Sequence, residues 1–430
     1  MASTPVPIIS DVLGPSKTTR LESLASTRKN AKTPKSVLYY GGRTVPDSVR
    51  AAPPSIFAPK KAAVPSAAEK RAPIRDAMMS ELAMRKLIAK YDTDHDGYID
   101  ERELRNMLNE MFQLGVTTTS LDDAGLKTLM AGMDSDRSGS VSTRELLHAW
   151  QTWLGKALLP VRCLLIIDVQ NDFISGSLAV NDAEAVVPVI NRLRSELAFD
   201  VVAYSKDWHP FTHSSFHETF HENAPGARPS ELHPSNTAEE VAAAEGSSVF
   251  SVVKLTAPDG SPMAQVLWPR HCAQESWGSE CHPQLHLEAD DLCIYKGTDK
   301  RIDSYSAFYD NMKLKSTGLA EQLRAKQVSH VYVVGIALDY CVCFTALHAA
   351  AEGLIVTVVE DASRAVAPNS EADARKMLAE AGVRVCTSAE LPALMNADSL
   401  SDALMAARSI SKARDVSRST LGMPSHATGS

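Results

Sequence analysis

Four kinds of side chain in this sequence could carry out covalent chemistry together: the carboxyl of Asp168, the D-x-H pair Asp207 and His209, the amine of Lys296 and the thiol of Cys341. Each lies at or just beyond the end of an apolar, strand-like run. If those runs are parallel strands of one sheet, all four converge on its carboxyl edge. There Asp168 could accept the thiol proton. Lys296 would hold the acid ionised and favour the thiolate, and the D-x-H pair offers donors suited to a metal. Taken singly the residues carry little: a lone Cys is as readily a small buried hydrophobe, Lys296 a surface charge and Asp168 a loop cap. Cys341 has one local feature of its own. The strand-like residues 331–334 stop at Gly335, and helix-favouring residues begin at Asp339. The thiol would then sit at a helix N-terminus, where the dipole lowers its pKa.

The elements that must position these groups are legible as alternation. Strand patterns cover 161–167, 200–205, 292–296, 330–335, 354–359 and 383–386, and helical patterns cover 186–198, 318–327, 339–352 and 371–381. Pro188 suits a first helical turn, and Gly353 and Gly382 suit helix C-caps. The pattern predicts an α/β fold built on a doubly wound parallel sheet, a Rossmann-like three-layer arrangement. Residues 210–270 are long, polar and weakly periodic, which suggests excursions above the carboxyl edge. One more helix and then a disordered tail are expected beyond residue 395.

A second chemistry precedes the first. In DTDHDGYIDERE (92–103), Asp92, Asp94 and Asp96 place carboxylates at positions 1, 3 and 5, with Gly97 at the sharp turn. Tyr98 offers its carbonyl at 7, Asp100 can act through water at 9, and Glu103 supplies a bidentate carboxylate at 12. DSDRSGSVSTRE (134–145) repeats the scheme with Asp134, Asp136, Ser138, the Ser140 carbonyl, Ser142 and Glu145 around Gly139. Apolar residues at helical spacing flank both loops, so the segment resembles a paired EF-hand domain that binds Ca2+. The second loop has fewer acids among its early ligands, which points to weaker binding. Only residues 154–161 separate this unit from the first strand of the sheet, so the two domains should touch.

Composition bounds the rest. With 430 residues, 44% hydrophobic and 22% charged, the chain has room for two or three ordinary globular domains. The expected division is a disordered basic tail over 1–75, the EF-hand pair over 76–155, the α/β unit over 161–395 and a C-terminal tail over 396–430. Residues 1–75 hold 13 Lys+Arg against 4 Asp+Glu, a balance of +9 that leaves −17 of the net −8 on the remainder. No aromatic interleaving or nucleic-acid motif accompanies the basic tail, so no nucleic-acid partner is expected. No apolar run approaches the roughly eighteen residues of a membrane span, and the seven cysteines show no framework spacing. Free thiols in a reducing compartment, and hence a cytoplasmic location, are the expectation. Nuclear entry and organellar targeting by the tail are left open.

The segments DVQNDF, KDWHP, LWPRHC, YKG, DSYSAF and GIALDYCV occur in that order over about 161–390. Together they resemble the nicotinamidase/pyrazinamidase family of isochorismatase-like cysteine hydrolases. The resemblance implies Asp168, Lys296 and Cys341 as catalytic triad and Asp207, His209 and His271 as ligands of zinc, or of iron or manganese. It further implies Phe173, Trp268 and Tyr305 as walls of the substrate pocket. The amides of Ala337 and Cys341 would form an oxyanion hole, beside a cis peptide between Ala337 and Leu338. Leu338 departs from the small residue usual there, and His213 matches a fourth ligand that only some members use. The implied reaction is hydrolysis of nicotinamide to nicotinate and ammonia, with pyrazinamide as a second substrate. Alternatives are a relative acting on another small amide or a vinyl ether, or a calcium sensor whose hydrolase fold is only a scaffold. Homo-oligomerisation is left open.

Overall fold

The computed structural model describes residues 80–112, 121–220 and 237–420. The tail expected over 1–75 lies outside them, as do residues 421–430 of the tail expected over 396–430, whereas residues 396–420 of that tail are helical.

The EF-hand pair consists of α1 (Glu81–Tyr91), α2 (Glu101–Met111), α3 (Asp123–Met133) and α4 (Thr143–Ala149). Ile99 and Val141, between the two loops, exchange backbone hydrogen bonds of 3.0 and 2.8 Å, so the loops lie side by side. The loop ligands double as helix caps. Asp100 accepts from the Glu103 amide at 2.7 Å while Glu103 accepts from the Asp100 amide at 3.1 Å, and Ser142 and Glu145 repeat this box. From α4 the helix runs on through a π-helical stretch, Trp150–Leu154, into Gly155–Leu158 and delivers the chain to the sheet.

The strands β1 (Arg162–Ile167), β2 (Val201–Asp207), β5 (Leu292–Lys296), β6 (His330–Ile336), β7 (Ile355–Arg364) and β8 (Arg384–Cys386) form one parallel sheet in the order β5-β2-β1-β6-β7-β8. It is flanked by α5 (Val186–Glu196), α6 (Leu319–Ala325), α7 (Cys343–Ala351) and α8 (Pro368–Glu380). β6 is buried at every residue, as the near-continuous apolar run of a covered parallel strand requires. The expected alternation and sheet class are observed. The β1–β6 register pairs Ile167 with Gly335, and Gly335 has φ +116°. A Cβ at Gly335 would lie 2.1 Å from the Ile167 carbonyl oxygen, so only glycine lets the two strand ends approach this closely. That approach sets the turn after β6 against the residue after β1.

Three features differ from the sequence expectation. Residues 210–270 contain a two-stranded antiparallel hairpin, β3 (Val252–Thr256) and β4 (Pro262–Val266), with a core of its own that includes Phe220, Leu255 and Leu267. Residues 339–352 are not one regular helix: a π-helical turn, Leu338–Val342, precedes α7. The cis peptide lies one bond earlier than expected, between Ile336 and Ala337. The bond after Ala337 already belongs to the turn, because the Ala337 carbonyl accepts from the amides of Tyr340 and Val342 at 3.1 and 3.0 Å.

The helix beyond residue 395 belongs to a longer one, α9 (Leu391–Thr420). Its first residues, Leu391 and Met395, join the core of the sheet domain, and Leu400, Ala403 and Ala407 join the core of the EF-hand pair. Among the described residues no helix is long and apolar enough to cross a membrane.

Candidate active site and metal centres

The carboxyl edge of β1, β2, β5 and β6 brings Asp168, Asp207, Lys296 and Cys341 into one buried cluster. Lys296 Nζ lies 2.8 Å from Asp168 Oδ2, 2.5 Å from Asp207 Oδ1 and 3.4 Å from Cys341 Sγ, and it also donates to the Ser304 carbonyl at 2.9 Å. One ammonium thus serves two carboxylates and the thiol. Asp168 adopts φ +48°, a left-handed conformation uncommon for a side-chain-bearing residue, where β1 turns across the strand ends.

Electrostatics separate the two acids. Burial raises the pKa of Asp168, opposed by the nearby Lys296 charge. Burial acts on Asp207 in the same direction, but Lys296 and the adjacent His209 outweigh it and hold this carboxyl well below its ordinary value. For Cys341 burial is the largest influence and pushes the thiol well up; Lys296 works against it, and Asp168 and Asp207 add to the rise. This reverses the sequence expectation of a dipole-lowered thiol. The site favours a thiol that must pass its proton to a neighbour, and Asp168 is a neighbour with raised proton affinity.

Next to this cluster stand His209 and His271. His209 Nδ1 hydrogen-bonds with the Gly297 carbonyl at 3.0 Å and His271 Nδ1 with the Pro269 carbonyl at 2.8 Å. Each ring therefore turns its Nε2 toward Asp207 Oδ2, at 3.5 and 3.8 Å. Carbonyl partners that fix the tautomer of two buried imidazoles beside one carboxylate are the setting of a divalent-metal site, and these three residues fit one. Gly297, at φ +63°, is needed because a Cβ there would lie 2.2 Å from the His209 ring. The His213 ring lies against His209, centroids 4.2 Å apart and planes tilted by 36°, with Nδ1 bonded to Ser215 Oγ at 2.7 Å and Nε2 near the Ile302 carbonyl at 3.3 Å. Burial pushes its pKa down to about 3, so it is neutral, and both nitrogens already have protein partners.

Phe173, Trp268 and Tyr305 line one cavity with Ala337, Tyr340 and Cys341, and Asp207 and His271 border it. Trp268 Nε1 donates to the Tyr305 hydroxyl at 3.3 Å, which fixes two of the walls relative to each other. The cavity is bordered by the Cys341 thiol and the His271 imidazole and walled by aromatic rings.

Sequence reading missed the residues that hold the reactive ones. Ser205 donates to Asp168 Oδ1 at 2.7 Å, and Gln170 bonds both backbone groups of Asp207 at 2.8 Å. Asp303, inside DSYSAF, lines the cavity. Gln170 and Asp303 lie within the recognised segments, which was the available signal; Ser205 had none beyond its place near a strand end.

In the EF-hand loops the carboxylates of Asp92, Asp94 and Asp96 converge, as do those of Asp134, Asp136 and Glu145. Gly97 and Gly139 take φ +88° and +87° at the sharp turns. Asp92 Oδ2 accepts from the Gly97 amide at 2.9 Å and Asp134 Oδ2 from the Gly139 amide at 3.0 Å, so each loop curls around its first acid. Tyr98 and Ser140 stand at the carbonyl positions, and Ser138 Oγ bonds to the Ser140 carbonyl at 3.2 Å. Glu103 accepts from the Thr93 amide at 2.6 Å, which closes its loop. Both donor sets fit a hard, oxygen-seeking cation.

Residues 162–390 match the isochorismatase domain and residues 81–151 match the EF-hand domain pair. The chain belongs to the isochorismatase-domain family, with an EF-hand pair N-terminal to the family domain, and it is an amidohydrolase. It is 35% identical to the nicotinamidase of Escherichia coli over 237 residues, which is 54% of this chain and 97% of that protein. It is 30% identical to the nicotinamidase of Saccharomyces cerevisiae over 222 residues, 49% of this chain and 91% of that one. A solved Acinetobacter baumanii nicotinamidase/pyrazinamidase is 35% identical and covers 54% of this chain and 98% of its own, with a TM-score of 0.45.

Proposed function

We propose that the protein hydrolyses nicotinamide to nicotinate and ammonia, and accepts pyrazinamide as a second substrate. The reading rests above all on one ammonium, Lys296, held within 3.4 Å of a buried carboxylate and a buried thiol that borders a cavity walled by aromatic rings. Its similarity to nicotinamidases along nearly their whole length supports the substrate. Cys341 Sγ passes its proton to Asp168 and attacks the carboxamide carbon. The amides of Ala337 and Cys341 receive the developing oxyanion. Asp168 returns the proton to nitrogen as the C–N bond breaks and ammonia leaves, so the acyl group remains as a thioester. Water then loses a proton to Asp168 and attacks that carbon. The C–S bond breaks, nicotinate departs and the thiol is restored. Lys296 keeps both carboxylates ionised and steadies the sulfur anion. Phe173, Trp268 and Tyr305 hold the ring.

Asp207, His209 and His271 would hold zinc, or iron or manganese. Such an ion, when bound, supplies a Lewis acid for the pyridine nitrogen that orients the ring. The EF-hand pair binds Ca2+ through Asp92, Asp94, Asp96, the Tyr98 carbonyl and Glu103, and through Asp134, Asp136, Ser138, the Ser140 carbonyl and Glu145. Calcium loading modulates turnover. Ammonia release from nicotinamide and pyrazinamide, with metal analysis of the purified protein, tests the catalytic reading; a metal-loaded protein that leaves both amides intact would sink it. Turnover with calcium and with a calcium-selective chelator tests the modulation, and identical rates would remove it.

A further inference from the structure

Helix α9 is shared between two cores, and its middle is pinned by charge. Asp402 is buried, with Oδ2 2.6 Å from His330 Nε2 and Oδ1 2.9 Å from Arg384 Nη2. His330 Nδ1 bonds in turn with Ser329 Oγ at 2.9 Å, and Ser329 Oγ accepts from the Val161 amide at 3.0 Å. A further tie joins the Arg162 guanidinium to the Met395 carbonyl at 2.7 Å. The amino ends of β1, β6 and β8 are thereby fastened to one helix.

The other face of α9 lies against α3. A Cβ at Gly132 would lie 2.7 Å from Ala407 Cβ, and one at Gly125 would lie 3.5 Å from Leu404 Cδ2. The glycines stand seven residues apart, two turns along one face, and at Gly132 the approach is close enough that a Cβ would also lie 2.9 Å from the Ala407 Cα. α3 ends at its C-cap, Asp134, the first acid of the second calcium loop. The same apolar core takes in Leu126, Leu129 and Trp153. At the opposite end of the path, His330 is the first residue of β6, and β6 leads through Ile336 to Ala337 and Cys341.

We propose that α9 couples the second calcium loop to the nucleophile turn, with Asp402 as the positioning residue that joins α9 to β6 through His330. This rests on the reading that the EF-hand pair binds calcium and modulates turnover. A close-packed helix pair transmits a shift of α3 because it has no slack to absorb it. EF-hand pairs that respond to calcium change the angle between their helices. Here the groove such a change reshapes is filled by a helix of the same chain, and that helix is anchored to the catalytic sheet by a buried ion pair. Movement of α3 therefore reaches β6 without any contact between an EF-hand loop and the active site.

The test uses the full chain with its catalytic metal retained, as wild type, Asp402→Asn and Gly132→Ala. Calcium binding is measured by calorimetry, hydrogen exchange is followed over residues 330–342 with calcium and with a calcium-selective chelator, and turnover is compared in the same two states. In the wild type, calcium is expected to change exchange over 330–342 and to shift kcat/KM by about fivefold or more, the lower range of ordinary allosteric coupling. Asp402→Asn should still bind calcium at both loops but lose the exchange response and bring the turnover ratio close to one. Gly132→Ala, which forces α3 and α9 apart and leaves both the loops and Asp402 in place, should weaken both responses and covers the case in which Asp402→Asn fails to fold. Wild-type exchange and turnover responses in either folded variant would overturn the coupling path. A wild type that binds calcium with neither response would overturn the modulation itself, and a wild type that binds none would overturn the calcium reading.

Discussion

The two ion-binding regions are built in opposite ways. The EF-hand donors come from two runs of twelve residues, and Asp94, Asp96, Asp136 and Ser138 among them are exposed while Asp92 and Glu103 are buried. Gly97 and Gly139 at positive φ supply the sharp turns, so the loops are largely local. The cluster at the carboxyl edge of the sheet draws Asp168, Asp207, Lys296 and Cys341 from four strand ends across more than 170 residues, and all four are buried. Its charges persist out of water only because Lys296 stands between two carboxylates. Loops of this local, partly exposed kind depend little on the rest of the fold, whereas the buried cluster leaves an uncompensated charge if one partner is lost. A local loop and a site assembled from distant segments place those different demands on a structure.

Removing the reacting atom gives the largest effect on function and the least on the fold. Cys341→Ala is expected to lower ammonia release from nicotinamide on the order of 10⁴-fold or more, with thermal unfolding and metal content close to wild type. A variant with near-normal turnover would rule out the thiol as nucleophile. Lys296→Met sharpens the contrast from the side of stability, because it strands two buried carboxylates. The expected loss is about 3–5 kcal/mol by chemical denaturation. A loss below about 1 kcal/mol, the range of an exposed pair, would mean that the cluster is not held by its charges.

Smaller effects test the scaffolding. Gly297→Ala drives a methyl group into the His209 ring, so affinity for the catalytic metal should fall by about 10–100-fold in chelator competition. Unchanged affinity would detach Gly297 from the metal site. Glu103→Gln should abolish calorimetric calcium binding at the first loop, yet cost only about 1 kcal/mol of calcium-free stability through its weakened cap. A calcium-free protein that unfolds several degrees earlier than this predicts would break the contrast drawn above.

The loops were legible because everything they need is contiguous: oxygen donors at fixed spacing, a glycine at the turn, and caps at Asp100 and Ser142 that begin the next helices. The strand runs were legible for a similar reason, since a strand covered on both faces must be apolar along its length. β3 and β4 were not, because a hairpin on the rim of a domain is half polar and short. Ser205 and Gln170 act through hydrogen bonds to residues far away in sequence, and nothing local marks such a bond. The cis peptide was expected one bond late, since the turn's register depends on which carbonyl accepts the first turn hydrogen bonds. The helix after 395 was anticipated, but its partner was not: Ala407 reads as an ordinary helix residue until Gly132 is found against it.

The amino-acid sequence by itself determined the order of the six strands of the parallel sheet and the helices between them, the two EF-hand loops and the residue types available for chemistry. These follow from periodicity, backbone preference and donor spacing, which act within a few residues. Tertiary structure alone decided that one lysine faces two acids and a thiol, that burial raises the thiol's proton affinity where a helix dipole was expected to lower it, and that α9 joins both cores. Those outcomes depend on distances between distant segments and on exclusion of water, and both arise only when the chain has packed.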